Sequence, residues 1–169
     1  MTKQKKKIMK DQDVKKATKI KIAETIIFPT VTYGSESWTM RKKERTKIDA
    51  FELWMWRRIL QVPWTERRTN LSVLDEVKPK SSLEATILQL RLRYFGHVMT
   101  AEGSLEWGIM LGKVAGYRRQ GKPWMRWLDT IKEATRLILE VLKETVQDRK
   151  KWHVLGEEKT RNGERTNVK

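Results

Sequence analysis

The sequence predicts an all-α fold, and three observations carry that expectation. Apolar residues recur at spacings of three and four through most of the chain. Alternation of period two appears only in "IKIAE" and "TVTYG", each too short to build a sheet. No Asn-Gly pair lies between apolar runs to turn a hairpin. The expected architecture is a helical thumb-like bundle followed by a second small helical segment, with disordered basic ends.

The elements follow in order. Residues 1–10, "MTKQKKKIMK", form a basic tail. In "VKKATKIKIAETIIF", Val14, Ala17, Ile20, Ile22, Ala23, Ile26 and Ile27 fall largely at spacings of three and four with lysines on the opposite face, which predicts one amphipathic helix. Pro29 ends or kinks it, because proline lacks the amide donor and crowds the preceding turn. In "KKERTKIDAFELWMWRRILQV" the apolar positions wrap more than half the circumference, so this helix is buried on several sides or binds a partner. Trp54, Met55 and Trp56 cannot all face one core, since neighbours on a helix diverge by about 100°. Residues 11–62 make up the thumb-like part.

Pro63 stops that helix and opens a connecting region, 63–112. Thr69 is placed to cap "NLSVLDEV", and Ser81 or Ser82 to cap "LEATILQLRLRYFGHVM", whose stripe runs through Leu83, Ile87, Leu90, Tyr94 and Val98. "TAEGS" closes it, and "LEWGIMLGKV" reads as a brief helix or turn. Residues 113–155 hold a basic loop and C-terminal helices: Pro123 sits where a first helical turn accepts proline, and the apolar pattern then continues as one long or two short helices. Beyond Leu155, "GEEKTRNGERTNVK" is polar and glycine-punctuated, so 156–169 is expected to be disordered.

The 169 residues carry 37 Lys and Arg against 21 Asp and Glu, a formal charge of +16. With a pI near 10.2 this favours polyanionic partners, nucleic acid first and an anionic membrane surface next. No cysteine is present, which excludes disulfides, thiol nucleophiles and cysteine-ligated zinc. The basic start is not followed by an apolar run with a cleavage site, and "IIFPTVTYG" is far shorter than the roughly 20 residues that span a bilayer. "KQKKK" reads as a solvated tail ahead of a nuclear-import signal or a phosphate contact. An intracellular protein without a membrane partner is expected.

Catalytic chemistry has little to draw on. The close acidic pair Asp11 and Asp13 lies in a lysine-rich stretch without apolar support and reads as solvated surface, not a two-metal site. The two histidines, His97 and His153, fall in separate helices and read as half-buried helix residues. Phosphate-binding glycine motifs of the Walker and dinucleotide types are missing. No catalytic residue, metal, cofactor or small-molecule substrate is assigned.

Binding chemistry has more. "GYRRQGKPWMRW", residues 116–127, holds four cations, two tryptophans, two glycines and a proline without one acid. Lys113, Arg118, Arg119, Lys122 and Arg126, all within the acid-free stretch 107–128, are the candidate phosphate contacts here, and the loop feeds a helix N-terminus whose free amides favour an anion. Trp124 is a candidate for stacking on an exposed base, whereas Trp127, followed by Leu128 and Ile131, reads as core. Around Pro63, Arg57, Arg58, Arg67 and Arg68 are candidate phosphate contacts, with solvated helix-end arginines as the competing reading. Arg91 and Arg93 point about 200° apart by helical pitch, and Arg93 is the one taken as a contact.

The segments "FPTVTYGSESWTM", "AFELWMWRRILQVPWTERRTN", "LRLRYFGHVM", "RRQGKPWMRWLDTIKE" and "QDRKKWHVL" resemble, in sequence and order, the C-terminal part of the endonuclease–reverse transcriptases encoded by non-LTR (LINE-type) retrotransposons. The likeness runs from about Ile8 to Leu155. It implies a helical thumb and the segment after it, which in that family hold the template–primer duplex and help position target DNA. The family's paired palm aspartates and its endonuclease have no counterpart in these 169 residues. Where the family usually breaks its helices with glycine or serine, this chain has Arg136 and Ile138, which favours one continuous helix. The resemblance implies a non-catalytic fragment that binds DNA or an RNA–DNA duplex without sequence preference. The alternatives are a module docking on a complete reverse transcriptase in trans through its Trp-rich helix, and a transposon relic with no selected function.

Overall fold

The computed structural model describes residues 11, 13–63, 65–112 and 125–161. Every regular element among the described residues is helical: α1 (Lys16–Ile22), α2 (Phe28–Val31), α3 (Lys42–Ile59), α4 (Asn70–Val77), α5 (Leu83–Thr100), α6 (Leu105–Met110), α7 (Trp127–Thr135), α8 (Leu139–Gln147) and α9 (Arg149–Arg161). The all-α expectation is met. No helix among the described residues is long and apolar enough to cross a membrane.

Two compact units divide the chain. The first takes the described residues up to Tyr33 together with Lys43–Glu84, and the second takes Gly34–Lys42 together with the described residues from Ala85 on. The division falls inside α5, a continuous helix that no proline or glycine marks at that point.

In the first unit, a π-helical turn, Ala23–Ile27, joins α1 to α2. Pro29 follows it at the start of α2, so the helical run passes through the proline without ending there. The Phe28 amide reaches back to the Ala23 carbonyl, and the Thr30 hydroxyl donates to the Ile26 carbonyl at 2.6 Å. Phe28 meets Trp56 of α3 edge-on at 5.1 Å. On α3, Met55 and Trp56 are buried whereas Trp54 is 51% exposed, the divergence that three adjacent helical positions require. Thr69 caps α4 as expected, its hydroxyl accepting the Ser72 amide at 3.2 Å. The start of α5 is held from α3: Glu52 Oε2 accepts the Leu83 amide at 2.9 Å while Oε1 accepts Trp56 Nε1 at 3.0 Å.

The second unit packs Leu92, Phe95, Val98 and Met99 of α5 with Leu128 and Ile131 of α7 and Leu142 and Val146 of α8. Trp127 stacks on Phe95 at 6.4 Å and donates its Nε1 hydrogen to the Glu36 carbonyl at 2.7 Å, so it is the core residue its neighbours suggested. Ser104 caps α6 by accepting the Trp107 amide at 3.1 Å. The single helix expected through Arg136 and Ile138 is corrected to two. Arg136 takes left-handed backbone geometry, φ 59°, and α7 stops there. Thr135 makes the break workable, because its hydroxyl bonds the Ile131 carbonyl at 2.8 Å and accepts the Leu137 amide at 3.4 Å. For residues 156–161 the expectation of disorder is corrected as well: α9 continues to Arg161, supported by the His153–Glu157 pair one turn apart, and residues 162–169 lie outside the described residues.

Candidate functional site

The candidate cations read from the sequence fall into three settings, which local structure distinguishes. The first is the turn after α3. Arg57 donates to the Arg68 carbonyl at 2.7 Å and to Asn70 Oδ1 at 3.0 Å. Arg68 in turn donates to the Ser72 hydroxyl and carbonyl and pairs with Glu76 at 2.8 Å. These two arginines are brought together and brace the turn into α4. Lys16 adds a second cation on Glu76 at 2.9 Å, and the hydrogen bonds from Lys16 and Arg68 hold that carboxyl below the usual glutamate range. Arg58 is exposed and lies over the Trp54 ring at 5.7 Å, and Arg67 is exposed.

The second setting is the entry to α7. Arg126 is exposed immediately before the helix, and its amide donates to Asp129 Oδ2 at 3.0 Å. Lys113, Arg118, Arg119, Lys122 and Trp124 lie outside the described residues. The expected first-turn place of Pro123 also lies outside them, and α7 begins at Trp127.

The third setting is a groove of the second unit, about 720 Å³, between α5 and α9 with the end of α8 beside it. Its apolar lining includes Leu92, Val146 and Trp152, and its polar lining includes Arg93, His97, Arg149, His153 and Glu157. Helical pitch places these residues. Arg93 and His97 are four apart on α5, and Arg149, His153 and Glu157 follow at intervals of four on α9, so each set forms one stripe. Arg91, two positions from Arg93, points the other way: it is buried at 2% exposure, bonds the Thr130 hydroxyl and lies 5.4 Å from the Trp127 ring. Of the two, Arg93 is the accessible cation.

Asp148 starts α9. Its Oδ1 accepts the amides of Lys150 and Lys151 at 3.0 and 3.2 Å, and those bonds, Lys151's first, hold its carboxyl below the usual aspartate range. His97, His153, Arg149 and Glu157 were not among the site residues read from sequence. The two histidines are exposed and share the groove, although they stand in different helices. The four-residue rhythm of Arg149, His153 and Glu157 was the available signal.

Guanidinium groups offer forked donors and no acceptor, which suits phosphate or carboxylate oxygens. Among the described residues, the groove presents two of them against one lining carboxylate. Trp152 is fixed in place, because its Nε1 donates to the Leu92 carbonyl at 3.2 Å and its ring lies 5.5 Å from Phe95.

Among curated proteins, a transposon-derived protein of Caenorhabditis elegans is 22% identical over 154 residues, covering 84% of this chain and 55% of the worm protein. The chain is distantly related to a transposon-derived protein. It spans about half the length of that relative. No family profile matches the chain, and no solved structure matches it.

Proposed function

We propose that this chain is the helical C-terminal portion of a LINE-type reverse transcriptase and that it holds the backbone of nucleic acid without reading its sequence. The groove between α5 and α9 carries the proposal: within a chain of charge +16 it gathers two arginines on a surface with one opposing carboxylate. Along α9, Lys150, Lys151 and Arg161 add further exposed cations. The five ordered motifs of the sequence and the transposon-derived relative support the family assignment. Its role is to grip and position, as a thumb does, with polymerisation left to carboxylates of another segment or chain. Binding to DNA and RNA–DNA duplexes of unrelated sequence, followed by fluorescence anisotropy, is expected to weaken by a constant power of salt concentration. Affinity that ignores salt sinks the proposal, and primer extension by the purified chain sinks its non-catalytic part.

A second reading is favoured by Trp54, which is half exposed on α3 with Phe51 at 6.1 Å and Arg58 over its ring. Such a face suits docking on a complete polymerase in trans. Docking of that kind persists at high salt, where phosphate binding fades.

A further inference from the structure

We infer that the groove between α5 and α9 is a proton-linked site for the phosphodiester backbone of a single strand. The inference rests on the nucleic-acid-binding reading above and adds to it where the strand lies, which form is preferred and what tunes the grip.

Size argues for one strand. A volume of about 720 Å³ falls within the range of small-molecule pockets, about 300–1,000 Å³, which accommodates a nucleotide or two. A duplex can lie only across its mouth. The lining argues for backbone over bases. Arg93 stands on the α5 side and Arg149 on the α9 side, so a strand between the helices meets a guanidinium on either hand. Trp152, also in the lining, is held against α5 by its hydrogen bond to the Leu92 carbonyl.

Charge argues for the proton link. The groups facing His97 and His153 from the two helices are Arg93 on α5 and Arg149 and Glu157 on α9. With both imidazoles neutral, the lining carries two positive charges and one negative, a net +1. Protonating both raises this to +3, and histidine is the side chain that ordinarily makes this change between pH 5 and 8. Glu157 sharpens the change. Its Oε1 lies 3.5 Å from His153 Nδ1, so a protonated His153 engages the carboxylate that otherwise repels phosphate. The two arginines supply a constant grip, the histidines a variable one, and Glu157 an opposing charge.

The experiment titrates the full chain against a labelled 20-nucleotide oligothymidylate and a labelled duplex, at pH 5.5 and 7.5 and matched ionic strength, by fluorescence anisotropy. Wild type is expected to bind the single strand at least fivefold tighter at pH 5.5 than at 7.5, with a smaller ratio for the duplex. His97→Gln with His153→Gln removes the difference between the two pH values. Arg93→Ala with Arg149→Ala weakens binding about tenfold at both pH values. It also lowers the log–log salt slope by about 0.7 for each phosphate of a single strand that is no longer neutralised. Glu157→Gln strengthens binding two- to fivefold at pH 7.5. Lys15→Ala with Lys21→Ala, exposed lysines of the other unit, controls for bulk charge. A pH ratio unchanged in the histidine variant, or equal losses from the arginine pair and the lysine control, overturns the groove site while leaving general binding in place. A wild type that binds neither probe overturns the broader reading.

Discussion

Gly96 of α5 leaves room for Trp152 of α9: a methyl group at position 96 would meet Trp152 Nε1 at 2.6 Å and Cδ1 at 3.0 Å. The indole therefore reaches over the helix backbone, where its Nε1 donates to the Leu92 carbonyl and its ring packs near Phe95. One small residue and one large one thus set how α9 seats on α5, and so the groove beside them.

Gly96→Ala is expected to lower stability even though alanine is the better helix former by about 1 kcal/mol. The clash involves the ring itself, which has packed neighbours on its other side, so overpacking at about 1–3 kcal/mol outweighs the propensity gain. Thermal unfolding with tryptophan emission as the probe checks this. A melting temperature equal to or above wild type would show that α9 re-seats without penalty.

Arg57 and Arg93 look alike in sequence, yet their surroundings assign them opposite phenotypes. Arg57→Ala leaves the Arg68 carbonyl and Asn70 Oδ1 without their donor, so it is expected to cost stability by about 1.5–3 kcal/mol, the range for hydrogen bonds from charged groups, with little change in nucleic-acid affinity. Arg93→Ala, exposed in the groove, is expected to do the reverse. Urea unfolding and anisotropy on the same two proteins decide between them, and matching phenotypes would dissolve the distinction.

Two glutamates of the first unit give stability opposite pH slopes. Burial raises the Glu84 carboxyl above the usual glutamate range, with Asp49 and Glu52 adding to the shift and Arg45, at 3.6 Å, opposing it. The folded state then holds this proton to higher pH than the unfolded chain does, and stability falls as pH rises from the ordinary glutamate value through the raised one. Glu76 is shifted the other way by Lys16 and Arg68, so its contribution is full above the ordinary value and is lost as pH falls through the lowered one. Glu84→Gln is expected to flatten the first slope and raise the melting temperature at pH 7. Glu76→Gln should flatten the second at a cost below about 1 kcal/mol, since its ion pairs are solvent-accessible. Melting temperatures from pH 3 to 8 read both, and a Glu84→Gln protein with the wild-type profile would rule out the first.

What the sequence disclosed divides along physical lines. Helix existence was legible because it depends on local spacing: the Trp54, Met55 and Trp56 divergence and the Thr69 cap follow from pitch and side-chain chemistry within a few residues. The break at Arg136 was hidden because a threonine hydroxyl makes it, with no glycine or proline to mark it, and an arginine accepts left-handed geometry there at some cost. The continuation of α9 was obscured by Gly156, which the helix tolerates. The groove was least legible of all. His97 and His153 are 56 positions apart, and it is the packing of Trp152 against Gly96, Phe95 and the Leu92 carbonyl that brings their helices together.

The acid-free stretch "GYRRQGKPWMRW" leads to Arg126 and the start of α7, and it supplies the sharpest test of whether phosphate is gripped by placed cations or by bulk charge. Replacing Arg118, Arg119 and Lys122 together by alanine is expected to release up to three phosphates. Binding to duplexes of any sequence should then weaken alike, with the log–log salt slope falling by about 0.9 per phosphate released on B-DNA. The same number of charges removed at Lys5, Lys6 and Lys7, in the lysine-rich stretch whose sequence reads as solvated, is expected to do less. Anisotropy titrations at several salt concentrations separate the outcomes. Equal losses from the two triple variants would mean that net charge alone governs affinity, and unchanged affinity in the first would leave the stretch as a basic turn ahead of α7.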